Sequence, residues 1–113
     1  MRSTYSQRAI IDVANKISSR RGGDVELWKY ERSHRTLEFR LSLEGVSGCV
    51  LLFFGDVVSF RGPLAWRGGE WELRAGADLE DQDVYIACDS SVGVEVRSGV
   101  VSARIMSAAY PRG

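Results

Sequence analysis

The chain has 113 residues, of which 44% are apolar and 27% are charged, which is enough for one compact domain but not two. Its formal net charge is zero. Neither an extended basic surface for nucleic acid nor an apolar run long enough to cross a membrane is therefore expected. The basic N-terminal segment lacks the apolar core of a signal peptide. We therefore expect a single domain over residues 1–113, cytoplasmic, with neither nucleic acid nor membrane as a partner.

The first predicted element is a helix over residues 4–21. Ile10, Val13 and Ile17 recur at helical spacing, which gives this segment one apolar stripe. The paired glycines at 22–23 favour its end, because glycine adopts the left-handed backbone that terminates helices. At the other end of the chain, residues 108–113 are expected to form a tail.

Beyond residue 24 the apolar pattern changes to a period of two, with frequent turn residues. Leu37, Phe39 and Leu41 alternate with charged and polar residues, which predicts a strand with one buried and one wet face. Antiparallel strands are expected over residues 25–106. The predicted fold class is α+β, mainly β, with one N-terminal amphipathic helix packed on an antiparallel β-sandwich or roll of about seven strands.

The pairing of the first two strands depends on the length of their loop. A two-residue loop at 33–34 places Trp28 opposite Phe39, whereas a three-residue loop places Val25 opposite Leu43. The first register is preferred, because aromatic cross-strand pairs stabilise a sheet by roughly 0.2–1 kcal/mol each.

The next segment, Cys49–Phe54, is apolar on both sides of the pleat. It is expected to be a central strand, covered by the helix on one face and by another sheet layer on the other. Gly55 and Asp56 fit either a type II′ hairpin turn or a bulge within one long strand. The sequence leaves both alternatives open.

Further strands are predicted at 70–74 and 83–89. A turn at 98–99 would pair Val96 with Val101 and place all the inward partners of a final hairpin on the same face. The C-terminal part of that hairpin, Val100–Met106, is a candidate sheet edge through which two copies of the chain could pair.

No catalytic constellation is indicated. The single histidine, His34, lies in a predicted turn, where polar residues collect for backbone reasons. Cys49 and Cys88 lie in apolar runs typical of buried free thiols, and no further zinc ligands accompany them. The glycine pairs lack the context of a phosphate-binding loop. We therefore expect a protein that is not an enzyme and that has no cofactor.

An acidic segment gives the chain an asymmetric charge. Residues 1–40 carry nine Lys or Arg against five acids, whereas residues 78–95 carry only acids among their charged residues. Such a layout can steer a protein partner. Asp78, Glu80, Asp81 and Asp83 are candidate partner-binding residues, or alternatively ligands of a calcium ion, since calcium takes several carboxylate oxygens from flexible loops.

A second candidate surface combines arginine with tryptophan. Arg61, Trp66, Arg67 and Arg74 offer guanidinium and aromatic surfaces suited to flat or anionic partners. Trp66 and Arg67, in a predicted loop after Pro63, form the best interface candidate, because these residue types dominate binding hot spots.

The segment Phe53–Trp66, with Gly-Pro and then Trp after an apolar strand, resembles segments of small bacterial proteins, some of them similar to the immunity proteins of toxin systems. The resemblance implies a small cytosolic protein without enzymatic activity that binds another protein. The leading hypothesis is such a binding domain, which acts by steric masking of its partner. The alternative function is a β-domain that binds a small ligand or calcium.

Overall fold

The structure is a computed structural model that describes residues 4–77 and 83–106 of the chain. The described part contains one helix and seven strands: α1 (Thr4–Ser18), β1 (Asp24–Glu31), β2 (Thr36–Ser42), β3 (Cys49–Arg61), β4 (Ala65–Arg67), β5 (Glu72–Ala77), β6 (Asp83–Asp89) and β7 (Val94–Met106). The predicted tail at 108–113 lies outside the described residues.

The helix ends at Ser18, three residues earlier than predicted. Its apolar stripe is buried, with Val13 and Ile17 in the core. The N–H of Arg20 donates to the carbonyl oxygen of Ile17 at 3.0 Å, so the chain leaves α1 through a tight turn. Gly22 then adopts a φ of +81°, the left-handed conformation that the glycine pair predicts.

All seven strands belong to a single antiparallel sheet in the order β4-β1-β2-β3-β7-β6-β5. The sheet curls into a half-barrel, and α1 packs on it against β7, β5 and β3. The predicted class, α+β and mainly β, is confirmed. The second sheet layer expected over Cys49–Phe54 is wrong, because every described strand is hydrogen-bonded into the same curled sheet.

The central strand β3 settles the ambiguity at Gly55 and Asp56. Both residues lie within β3, which pairs with β7 on both sides of them, so they do not form a hairpin turn. Asp56 has a φ of +49°, and the register shifts between Val57 and Ser59. The bulge within one long strand is therefore the correct alternative.

The final hairpin predicted around 98–99 is wrong. β7 continues through these residues as one strand, in which Val96 lies opposite Phe60 of β3 and Val101 lies opposite Phe54. Two apolar segments joined by Ser-Gly show the same alternation whether the chain folds back or continues. In the structure, both halves of β7 pair with β3.

The predicted edge at Val100–Met106 is occupied in part by the helix. β6 pairs with β7 only as far as Ser98, so the rest of β7 pairs with β3 on one side alone among the described strands. Lys16 of α1 donates from Nζ to the carbonyl oxygen of Ala103 at 3.2 Å. Pairing with a second copy here would have to compete with α1.

The first hairpin has neither of the two predicted registers. Its loop has four residues, 32–35, and Leu27 rather than Trp28 lies opposite Phe39. The register shifts between Leu27 and Lys29, which places Trp28 at a bulge. Its ring lies under the guanidinium of Arg40, 5.2 Å from the ring centroid.

Five aromatic rings pack together inside the half-barrel, with centroid separations between 5.5 and 6.2 Å. This aromatic cluster consists of Phe39, Phe54, Phe60, Trp66 and Trp71. Phe39 contacts the other four rings and has no exposed surface. The tilted and edge-on geometries are those that aromatic pairs prefer, at roughly 0.5–1.5 kcal/mol per pair beyond area burial.

Candidate functional site

A row of alternate residues of β2 extends from one cavity to a second. Leu37, Phe39 and Leu41 are all buried on one face of the strand, and consecutive members of this row stand about 7 Å apart along it. Leu41 lines one cavity and Leu37 lines the other. Phe39, and with it the aromatic cluster, lies between them in the row.

The first cavity, here called the helix cavity, has a volume of about 490 Å³ and lies between the C-terminal end of α1 and the start of β5. Its apolar wall is made mainly by Ala14, Ile17, Leu41 and Leu73. Its polar wall is made by Ser18, Arg20, Arg21, Glu72, Arg74 and Cys88. Trp71, of the aromatic cluster, also lines it.

Two buried N–H groups belong to side chains that line this cavity. Arg20 is only 7% exposed and Trp71 only 8%. Arg20 Nε and Trp71 Nε1 have no hydrogen-bond partner within the described parts of the chain. Such groups are rare, because a buried donor left unpaired costs roughly 1–3 kcal/mol, and more when it is charged.

The remaining nitrogen atoms of Arg20 are held by neutral oxygens. Nη2 donates to the carbonyl oxygen of Ser47 at 3.0 Å, and Nη1 donates to the carbonyl and hydroxyl oxygens of Ser19 at 3.3 and 3.1 Å. No carboxylate of residues 4–77 or 83–106 forms an ion pair with Arg20. By contrast, Arg21 on the same wall pairs with Glu70 at 3.0 Å. Arg20 is thus a buried cation without a counter-charge there.

The second cavity, here called the open groove, has a volume of about 670 Å³ between β1, β2 and the second half of β3. Its floor continues the core, since Leu27, Val57 and Phe60 pack against the buried cluster. Its rim carries three exposed apolar side chains, Tyr30 at 60%, Val58 at 51% and Leu64 at 60%. Its other lining residues are Arg32, Arg35, Thr36, Leu37 and Ser59.

A buried carboxylate holds Trp66, one ring of the aromatic cluster, in place. Asp89, 1% exposed, accepts hydrogen bonds from Trp66 Nε1 at 3.0 Å and from the N–H of Glu70 at 2.8 Å. Its other oxygen accepts from the N–H of Ser91 at 3.2 Å and from the hydroxyl of Ser91 at 2.5 Å. Burial alone would raise the pKa of Asp89, but these hydrogen bonds together lower the pKa below its ordinary value.

The structure separates the predicted arginine and tryptophan surface. Trp66 does not stand free in a loop, as the sequence predicts, but is a partly buried residue of β4 whose ring lies 5.9 Å from Phe39. Arg67 is exposed and pairs with Asp24 at 3.2 Å. Arg74 lines the helix cavity. Arg61 is exposed, with a long contact of 3.9 Å to Glu95.

Of the predicted acidic residues, Asp78, Glu80 and Asp81 lie outside the described residues. Asp83 is the exposed first residue of β6. Within residues 4–77 and 83–106, no group of three or more His, Cys, Asp or Glu side chains is placed to hold a metal ion. The calcium alternative therefore receives no support from the described part of the chain.

The single histidine and the two cysteines do not form a site. His34 is exposed and its Nδ1 lies 2.6 Å from a carboxylate oxygen of Glu31. Cys49 is buried, and Cys88 is partly buried at the wall of the helix cavity. Both thiols are free, as the apolar runs around them predict.

Sequence reasoning missed the residues that define both cavities. Arg20 reads as a solvated cation at a helix end, a position that the helix dipole favours, so nothing marks it as buried. The preferred register of the first hairpin places Tyr30 on the buried face with Trp28, and Val58 follows the turn or bulge that the sequence leaves open, so neither residue is predicted at the rim of a groove. Leu64, an apolar residue directly after Gly62-Pro63, is the one signal in the sequence that could have pointed to the open groove.

Comparison with protein families, curated proteins and solved structures finds no match to this chain. Among the described residues, no helix is long and apolar enough to cross a membrane.

Proposed function

We propose that this chain is a non-enzymatic protein-binding domain whose open groove takes an apolar segment flanked by acidic residues from a partner protein, which it masks. The observation that carries the proposal is the convergence of Tyr30, Val58 and Leu64, each more than half exposed, on a single groove. Single exposed apolar residues are ordinary on a protein surface, but a contiguous patch marks an interaction site.

The groove is preformed, because its floor belongs to the core. Leu37 is 4% exposed and is part of the buried cluster, and Val57 and Phe60 pack against that cluster. A partner side chain that enters the groove therefore gains apolar contact at roughly 25 cal/mol for each Å² buried without ordering the floor first.

Charge complementarity defines the partner. Arg32 and Arg35 line the groove, and no acidic residue of the described ranges 4–77 and 83–106 does. The nearest carboxylate contact is that of Arg35 with Asp56 at 3.9 Å, and both side chains are about two-thirds exposed. Such an exposed pair contributes little, so the guanidinium is available to an acidic partner. Opposite charges at a rim accelerate association and reject basic partners.

The bacterial, cytoplasmic and immunity-like setting belongs to this proposal. It is supported by the segment Phe53–Trp66, which carries the resemblance to small bacterial proteins, some of them similar to immunity proteins, and which supplies five groove residues. These are Val57, Val58, Ser59, Phe60 and Leu64.

The test is a selection of random peptides displayed on phage against the immobilised protein, followed by calorimetry with the enriched peptides. We expect enriched peptides to contain two or more apolar residues beside Asp or Glu, and to lose at least tenfold in affinity for Leu64→Asp. The matched control is Ile105→Asp, which changes another exposed apolar residue outside the groove.

Three outcomes would overturn the proposal. Enrichment of no peptide, or of peptides that bind Leu64→Asp as tightly as wild type, would exclude the groove as the binding surface. Enrichment of basic peptides would contradict the charge argument. Sedimentation that shows a dimer lost in Leu64→Asp and kept in Ile105→Asp would show that a second copy of the chain covers the groove instead.

A further inference from the structure

The helix cavity is a second candidate binding site, and it shares no lining residue with the open groove. It holds a guanidinium that is 7% exposed and has no ion pair within residues 4–77 and 83–106, together with an indole N–H that is buried and unpaired there. A buried cation without a counter-charge destabilises the folded state. Proteins seldom retain such a group unless something pairs with it.

We propose that the helix cavity binds a small monocarboxylate with an apolar body, whose carboxylate pairs with the guanidinium of Arg20 and accepts a hydrogen bond from Trp71 Nε1. The planar fork of an arginine matches the two oxygens of a carboxylate. Nε is the nitrogen of Arg20 that the protein leaves without a partner in its described part.

The size and lining of the cavity set the class of ligand. Its volume of about 490 Å³ lies within the range of roughly 300–1,000 Å³ that is usual for small-molecule sites. Ala14, Ile17, Leu41 and Leu73 provide an apolar wall for the body of the ligand.

One anionic group, rather than two, fits the charges of the wall. Of its arginines, Arg21 already pairs with Glu70, and Arg74 is exposed on a strand that also brings Glu72 to the cavity. Arg20 is the buried cation that remains. The single charge of a monocarboxylate matches this one buried cation.

Entry of the ligand needs a local movement. Arg20 Nε and Trp71 Nε1 are both covered by protein atoms. A carboxylate therefore reaches them only after side chains at the wall shift. Association slower than diffusion is expected for such a site.

The experiment is a thermal-shift and calorimetric titration of the full chain with benzoate and octanoate. Benzamide and octanol, which have the same bodies without the charge, are the neutral controls, and inorganic phosphate is the control for a bare anion. We expect saturable stabilisation by at least one of the two carboxylates and none by the controls. No response to either carboxylate, an equal response to its neutral control, or a response to phosphate alone would overturn the proposal.

Two variants assign the response to the cavity. Arg20→Met should weaken carboxylate binding by at least about tenfold, since a hydrogen bond to a charged group contributes roughly 1.5–3 kcal/mol and each 1.4 kcal/mol is tenfold. Arg21→Met, on the same wall but already paired, is the matched control and should keep the response.

Trp71→Phe keeps a six-membered aromatic ring in the cluster and removes the indole N–H together with the rest of the five-membered ring, so it tests the second contact with a smaller loss of packing than Trp71→Ala would cause. We expect about tenfold weaker binding with the fold retained. If Arg20→Met fails to fold, wild-type affinity in Trp71→Phe overturns the proposal. Leu64→Asp, in the open groove, should respond to carboxylate as wild type does, which separates this site from the protein-binding surface.

Discussion

The two ends of the half-barrel interior are closed in different ways. At the Leu41 end, α1 covers the sheet. Backbone hydrogen bonds there join the glycine pair at 22–23 to the glycine pair at 68–69. At the Leu37 end, no described helix or strand lies over the open groove, and Tyr30, Val58 and Leu64 remain exposed on its rim. A curled sheet exposes apolar surface at both ends, and the described part of the chain has one helix with which to cover it.

The two ends also differ in where their polar groups lie. The covered end buries an arginine and an indole N–H beside its cavity, whereas the open end keeps its arginines at the rim and its interior apolar. Buried donors favour a small polar ligand, and a wide apolar surface with charged edges favours a protein segment. The aromatic cluster keeps the two ends distinct.

Removal of the central ring of the aromatic cluster should have the largest effect, because this cluster separates the two ends of the half-barrel. Phe39→Ala deletes a fully buried side chain that contacts four other rings, so we expect a loss of about 3–5 kcal/mol in the free energy of unfolding. Urea denaturation measures it. Ile105→Ala, at an exposed apolar position, is the control and should change stability by less than about 0.5 kcal/mol.

Trp66→Ala should be nearly as damaging. The substitution removes a ring from the cluster and leaves the carboxylate of Asp89 without one of its donors, so a loss of about 3 kcal/mol is expected. Arg67→Ala, the next residue, breaks only an exposed pair with Asp24 and should cost at most about 1 kcal/mol. Equal melting temperatures for the two variants would show that Trp66 belongs to the surface, as its sequence context predicts.

The Asp89 carboxylate should make the stability of the fold sensitive to acid. Because its folded-state pKa is lowered, its stabilising contribution is present above the ordinary value near 3.8 and is lost as the pH falls through the lower folded-state pKa. Asp89→Asn should lose about 1–3 kcal/mol at neutral pH and show a flatter decline in stability towards pH 3. Parallel pH profiles for wild type and variant would contradict this account.

The smallest effect is expected at the open groove. Leu64→Ala trims a side chain that is 60% exposed, so unfolding free energy should change by no more than about 0.5 kcal/mol while affinity for an apolar acidic peptide falls. Thermal denaturation and calorimetry on the same samples separate the two quantities. A large drop in melting temperature would show that Leu64 supports the fold rather than an interface.

Much of the fold can be predicted from the sequence, because it depends on local periodicity. The row Leu37, Phe39 and Leu41 predicts the buried face of β2, and the apolar run from Cys49 predicts the central strand. The bounds of β6 are those predicted.

The failures come from contacts between residues distant in the chain. Ser98-Gly99 has the composition of a turn, but its neighbours pair with β3, and a Cβ on Gly99 would stand 3.1 Å from that of Asp56. Likewise, Trp66 reads as exposed until the curl of the sheet brings Asp89 beside its indole nitrogen. The burial of Arg20 does not follow from any nearby pattern, and the exposure of Leu64 is indicated only by its position directly after Gly62-Pro63.

The long antiparallel pairing between β3 and β7 also affects how the chain folds. The two strands at the middle of the sheet are separated in sequence by the whole of β4, β5 and β6. During synthesis, the apolar strand β3 must therefore wait with one edge unpaired until β7 has left the ribosome. Proteins dominated by such distant pairings fold slowly and are exposed to aggregation meanwhile. A nascent chain arrested before β7 should consequently be the form that depends most on chaperones.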